Sequence, residues 1–449
     1  MLKMRSRSIV FFVSILVSVL CPRQLSAQIV AESRIDWIES IFMSRITLDI
    51  HKAGIYLPAG KSAAINKVKM KIPILVKDPL LSLNLDSRFR LGDMILQGSY
   101  SLEDIARIMD AGQRSAGVFM NDGKEMIVDH RVRISSLANP LIKHRSAYIP
   151  EALIETTASR AYSGIIIDAR GSLPVHGEFD SAKAEPCFFP VIRDDQMNTV
   201  YERNMVSPEN AMKSGIVHYD YSDDESRYAD RVGRDPLHIK ARKIYGLNRT
   251  DPVITHTDML KIFSVPENRA LLKAGKVVIL LNRENLILPV GAPRKDENFY
   301  FDYGKLKEHL DDFPIRDVEM AEVYNGIQIV IENLQFEADS ARLITADRSR
   351  VNQVATSIKE LSLAQGYVVE ISGHTARIGI EEGEMQLSLA RANAVVDALV
   401  AQGLPRNIFS AHGYGGTVPI ADNASPAGRT QNRRVEILIK PAVTYMQRD

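Results

Sequence analysis

The hydrophobic periodicity between Ile327 and Lys440 constrains the fold more tightly than any other feature of the chain. Ile327, Ile329 and Ile331 alternate with Gln328, Val330 and Glu332, the two-residue period of a strand. Val351, Val354, Ile358 and Leu361 follow at helical spacing, and Val369 and Ile371 then alternate with Glu370 and Ser372 as a second strand. Met385, Leu389, Ala392, Val396 and Leu399 step by 4, 3, 4 and 3 residues, and this helix is expected to stop at Gly403, with Pro405 beyond. A short strand at 408–411, a loop and a last strand at 435–439 complete the order β-α-β-α-β-β. Crossovers through helices require part of such a sheet to be parallel, so the segment reads as an α/β sandwich.

The whole chain has 449 residues, enough for about two to four domains. The expected class is α+β multi-domain, with the C-terminal β-α-β-α-β-β sandwich preceded by a tandem of two mixed α/β domains. Residues 28–158 mix β-rich stretches (46–50, 126–134) with a helix-like segment at 102–111. Residues 159–288 form the second unit. It opens on an apolar run, Ile165-Ile166-Ile167, closed by Gly171 and Pro174, which reads as a buried strand ending in a turn. A turn-rich stretch (220–235) and a second apolar strand (276–281) follow. Residues 289–325 carry Pro, Gly and clustered charge and are expected as a linker with a short helix around 305–310. The sandwich occupies 326–441.

The first residues read as an address. Lys3, Arg5 and Arg7 precede an apolar run from Ile9 to Leu20, and Leu25-Ser26-Ala27 offers a cleavage site before Gln28, the pattern of a secretory signal over 1–27. The run is shorter than the ~20 residues a permanent span needs. Leu20 is too bulky for a lipid-attachment box at Cys21. Cleavage after Ala27 removes Lys3, Arg5, Arg7 and Arg23 and takes the net charge from +1 to −3. No later stretch approaches transmembrane length, and residues 28–325 lack the repeated alternating strands of a membrane barrel. The expected location is the periplasm, associated with the outer membrane or the cell wall.

Composition narrows the chemistry. Fifty-six basic against 55 acidic residues give no footprint for nucleic acid, and two cysteines exclude a disulfide scaffold or a cysteine zinc cluster. Gly54 and Gly60-Lys61-Ser62 hold one residue too many between the glycines for a phosphate loop, so a turn before a helix is the better reading. His218 with Asp220 is a close His/carboxylate pair, and no third zinc ligand accompanies it. Asp168 ends a buried strand, where an Asp more often caps a turn or pairs with an Arg such as Arg170. Cys187 has no adjacent base and reads as a small packed hydrophobe. No catalytic residue, no metal and no cofactor is expected.

Six strings in order carry a resemblance: Phe336-Glu337-Ala338-Asp339-Ser340, Gly373-His374-Thr375-Ala376-Arg377-Ile378-Gly379, Leu387-Ser388-Leu389-Ala390-Arg391-Ala392-Asn393, Gly413-Tyr414-Gly415, Pro419-Ile420-Ala421-Asp422-Asn423 and Asn432-Arg433-Arg434-Val435-Glu436-Ile437. Together they resemble the OmpA-like domain, the C-terminal module of the OmpA, Pal and MotB families. The arrangement of the whole chain resembles treponemal multi-domain OmpA-domain proteins. The segment around 162–201 is also similar, more loosely, to secreted flagellar-assembly and small-lipoprotein families.

The resemblance implies a groove for the diaminopimelate of a peptidoglycan stem peptide. In it an Asp after the His-Thr takes the ammonium, and an Arg on the next helix takes the carboxylate, as charge-assisted hydrogen bonds. Arg391 matches that Arg, but Ala376 stands at the Asp position beside Thr375, and Phe336-Glu337 replaces the usual Phe-Asp. An uncompensated ammonium costs about 3–5 kcal/mol, against about 8 kcal/mol for a micromolar site, which moves affinity towards millimolar. The ligand groove at Arg391, Thr375, Ala376, Phe336 and Glu337 is therefore expected to be degenerate. Wall binding is expected to be weak or lost, and other envelope proteins are the expected partners. The alternative is a wall anchor that keeps Arg391 and draws a displaced carboxylate from Glu337, Glu381 or Glu382.

Overall fold

In-and-out alternation of apolar residues builds the first sheet. The structure, a computed structural model, describes residues 28–150, 155–312, 315–337, 341–359, 361 and 366–448. The export signal expected at 1–27, Cys21 within it, and residues 338–340 of the Phe336 string lie outside the described residues. Strands β1 (Ile29–Asp36) and β2 (Ile41–Asp49) bury alternate side chains and pair antiparallel. The far edge of β2 pairs with β3 (Glu125–Arg133), within a seven-stranded sheet. Helix α1 (Lys61–Leu81) starts directly after Gly60 and buries Val68, Ile72, Leu75, Val76 and Leu80 in the adjoining core. Pro73 and Pro79 lie inside it. An interior Pro costs about 3 kcal/mol, and each buried Leu, Ile or Val returns roughly 1.5–3 kcal/mol, so packing keeps the helix continuous.

The second unit holds a fully parallel sheet of β4 (Ile165–Asp168), β5 (His218–Asp220), β6 (Leu237–Lys240) and β7 (Val277–Leu280), in the order β5-β7-β4-β6. Ile165, Ile166 and Ile167 are at most 1% exposed, as their unbroken apolar run predicts for a strand covered on both faces. Gly171 just beyond takes φ +88, a turn conformation that favours glycine. The first two units do not have separate cores. Most of their buried apolar residues form one continuous cluster, in which Trp37 meets Phe188 and Tyr219 edge-on at 5.4 and 5.8 Å, while Ile166, Tyr228, Val232, Val278 and Leu280 form a smaller one in the second unit.

The segment 289–325 is folded rather than the expected linker. The preceding strand β8 (Ile287–Val290) returns to pair with β1. Helix α2 (Glu297–Asp312) sends Phe299 and Leu306 into the C-terminal core, and β9 (Val318–Val323) is an edge strand of the C-terminal sheet. Apart from the buried Asp302, its clustered charges lie towards the outside of these elements, and that surface charge resembles the composition of a linker.

The C-terminal unit has the predicted order, with β9 added. Strands β10 (Gly326–Glu332), β11 (Val368–Gly373), β12 (Phe409–Gly413) and β13 (Arg434–Lys440) lie in the order β9-β10-β13-β11-β12, and only β11 and β12 are parallel. Helices α3 (Thr345–Lys359) and α4 (Glu381–Ala401) cover one face over Ile327, Ile329, Ile331, Val369, Ile371, Ile437 and Ile439. A last strand, β14 (Met446–Arg448), leaves this unit and pairs with β1 at Val30–Glu32. Among the described residues, no helix is long and apolar enough to cross a membrane.

Candidate functional site

Two glycines bring α4 down onto the sheet. A Cβ on Gly373 would stand 2.1 Å from the Ser388 carbonyl oxygen, and one on Gly413 would stand 2.4 Å from the Leu389 amide nitrogen. Close approach at the ends of β11 and β12 seats Ser388 and Leu389 of α4 against those strand ends. Ser388 Oγ donates to Met385 O and accepts from Gly415 N, locking helix to loop. The loop after β12 is held to the loop after β11 by two amides. Asn432 Oδ1 accepts from Ile420 N and Ala421 N, and its Nδ2 donates to Asn423 Oδ1, which also accepts from Arg377 N.

Within this frame the structure brings Phe336 and Arg391 together. The guanidinium carbon lies 4.7 Å from the centre of the Phe336 ring, a cation–π contact. Burial, with the neighbouring Arg433 cation, holds this guanidinium below its ordinary pKa, and its Nε has no hydrogen-bond partner. Thr375 donates its amide to Gly415 O, while its buried hydroxyl is unpartnered. Ala376, next to Thr375, is 1% exposed.

Of the three acidic candidates, Glu382 is exposed at the start of α4, while Glu337 and Glu381 are engaged elsewhere. Glu337 lies 3.8 Å from Arg342. Glu381 Oε1 lies 2.8 Å from His176 Nε2 of the second unit. Glu384 was not among the sequence candidates, yet it is buried and its Oε1 accepts from Ile378 N and Gly379 N at 2.7 and 2.6 Å. The signal was available: Glu384 precedes Arg391 by seven residues, two turns of one helix face, roughly 10 Å along the axis.

Behind the groove lies a buried charged cluster. Arg434 is 1% exposed and donates from Nε to Glu436 Oε1 at 2.7 Å. His374 stacks on Tyr414 at 5.4 Å, and burial, reinforced by the Arg434 cation, pushes its imidazole down to about 3. The sheet face carrying these groups adjoins the second unit. Tyr245 donates its hydroxyl to Thr417 O, and Glu178 holds Arg249 at 2.7 Å. A cavity of about 250 Å³ remains at this junction, lined by His176, Arg193 and Tyr245 on one side and Arg377, Glu381 and Glu384 on the other.

Elsewhere the sequence candidates have structural partners. Arg170 holds Asp168 with Nε at 2.8 Å and a second nitrogen at 2.9 Å. Asp220 accepts from Tyr221 N, Ser222 N and Arg227 Nε. Cys187 is buried, and burial raises its thiol pKa.

Three family models match the chain. Residues 335–433 match the OmpA family, residues 28–140 the N-terminal domain of Treponema pallidum Tp0624, and residues 164–283 its second domain. Among curated proteins, the peptidoglycan-binding protein ArfA of Mycobacterium tuberculosis is 42% identical over 106 residues, covering 24% of this chain and 32% of ArfA. The probable lipoprotein YiaD of Escherichia coli is 36% identical over 109 residues, 24% of this chain and 48% of YiaD. The chain thus spans a third to a half of the length of these relatives. Among solved structures, the cell wall anchor of the type VI secretion system from Pseudomonas aeruginosa is 28% identical, covering 30% of this chain and 97% of that one, with a TM-score of 0.27.

Proposed function

This is an OmpA-like multi-domain protein, with an OmpA-family domain at 335–433 behind two treponemal-type units, and from that premise we propose that it is a non-enzymatic cell-envelope protein whose wall-binding groove is degenerate. It works as an envelope scaffold or interaction adaptor in the periplasm, partnered by other envelope proteins more than by the wall. The observation that carries this reading is the groove's one-sided charge. The resemblance puts the ammonium pole at Ala376, whose methyl is buried, while Arg391, beside Phe336, has another cation, Arg433, as its charged neighbour. Relatives such as ArfA, named as peptidoglycan-binding, support the envelope setting. A zwitterionic ligand seated here leaves its ammonium uncompensated, at the cost of about 3–5 kcal/mol.

The non-enzymatic part rests on how the sequence candidates are used. Asp168 is taken by Arg170 and Asp220 by Arg227, as in structural ion pairs.

A second reading, a wall anchor with altered chemistry, is favoured by Glu384 alone. It sits two helical turns from Arg391 and borders the junction cavity. Co-sedimentation with purified sacculi separates the two. The natural chain is expected to stay in the supernatant, and Ala376→Asp to increase any pelleted fraction. Pelleting at ordinary affinity that is lost in Glu384→Gln and Arg391→Ala refutes the degenerate groove and establishes the second reading.

A further inference from the structure

The outward face of α1 is left bare by the fold. Met70 and Ile74 are 75% and 63% exposed on the side opposite the buried Val68, Ile72 and Leu75. Ala63, Lys67, Met70, Ile74 and Lys77 step by 4, 3, 4 and 3 residues, so they form one stripe along the helix. More exposed apolar side chains surround its first turns: Tyr56 at 85%, Ile65 at 45%, Val118 at 53% and Met120 at 46%. Lys61 lies over the ring of Phe119, between the last two, at 5.7 Å.

Lys67 and Lys77 lie on this stripe, and Lys69 and Lys71 flank it. α1 carries Lys61, Lys67, Lys69, Lys71 and Lys77 against a single acid, Asp78 near its end, in a chain whose overall charge is +1. Asp78 lies 3.6 Å from Lys77, whereas Lys67 and Lys69 make no ion pair among the described residues.

We infer that this face of α1 docks on an anionic lipid surface, with Met70 and Ile74 entering the headgroup layer and the lysines meeting lipid phosphates. Charge complementarity fixes an anionic partner. The residue types select lipid over protein: protein interfaces are depleted in Lys and enriched in Arg and aromatics, and α1 has five lysines with no arginine and no aromatic residue. Lysine stems lie along an apolar boundary while their ammonium groups reach the phosphates.

The test is sedimentation of the chain from residue 28 onward with phosphatidylglycerol–phosphatidylcholine vesicles, against pure phosphatidylcholine vesicles. The chain is expected to pellet with the first and not the second, and to be released by salt. The Lys67→Glu/Lys69→Glu double variant is expected to bind roughly tenfold more weakly, and Met70→Ser/Ile74→Ser to bind more weakly even at low salt. All four side chains lie on the surface, so thermal melts matching the natural chain certify the fold. Equal partition to both vesicles, partition to neither, or unchanged binding by the charge-reversed variant overturns the inference. So does a lipid-free dimer that disappears in Met70→Ser/Ile74→Ser, which assigns the face to a second copy.

Discussion

Arg434 and Glu436 are buried together behind the groove, and their energetics are asymmetric. Glu436→Gln leaves a guanidinium that is 1% exposed facing a neutral amide, and breaking a buried pair from one side costs about 3–5 kcal/mol. Chemical denaturation of this variant is expected to show a loss of that order, whereas replacing both partners by apolar residues is expected to cost far less. His374, stacked on Tyr414 beside this pair, gives a pH dependence. Its folded pKa of about 3 lies below the unfolded value of about 6.5. Between those values the unfolded chain binds a proton that the folded chain refuses, so the contribution is fully present above pH ~6.5 and is lost as pH falls towards ~3. The melting midpoint is expected to fall from neutral to mildly acidic pH, and His374→Gln to flatten that slope. An unchanged slope in the variant contradicts the assignment.

At the scale of elements, strand β14 ties the end of the described chain to its beginning. It shares β1 with β8, taking Val30–Glu32 while β8 takes Ser33–Asp36. Val443–Thr444 pairs with Ala292–Pro293 just before it. Removing residues 442–449 strips a few ladder hydrogen bonds at about 1 kcal/mol each. The chain is expected to lose roughly 2 kcal/mol, and amide exchange at Val30–Glu32 to quicken while β11 and β13 keep their protection. Equal exchange at Val30–Glu32 in both proteins excludes the strap. The charged segment 289–325 illustrates the same scale. Its helix is held by Phe299 and Leu306, with Tyr303 and Leu310 packed in part against the same core, and a composition average conceals them.

Across the whole molecule, the C-terminal sheet presents its polar face to the second unit, so the OmpA-family domain is a packed part of the body. Gly177 makes that approach possible. It adopts φ +87, and a Cβ there would meet Thr417 Oγ1 at 2.9 Å. Gly177→Ala is therefore expected to strain the turn and push the units apart, with faster amide exchange around Thr417 and little change in the core of either unit. The two pairs that cross between the units there, His176–Glu381 and Tyr245–Thr417, are 205 and 172 residues apart in sequence.

The sequence by itself determined the C-terminal sandwich and the apolar strands β4 and β7, because local periodicity is a property of neighbouring residues. Only the tertiary structure decided that 289–325 is folded, that the first two units share one core, and that Glu384 and Glu381 are engaged at the groove's edge. Those outcomes depend on which charges meet across long sequence separations and which surfaces are buried against one another. Periodicity reports the burial of a face but not the identity of what covers it.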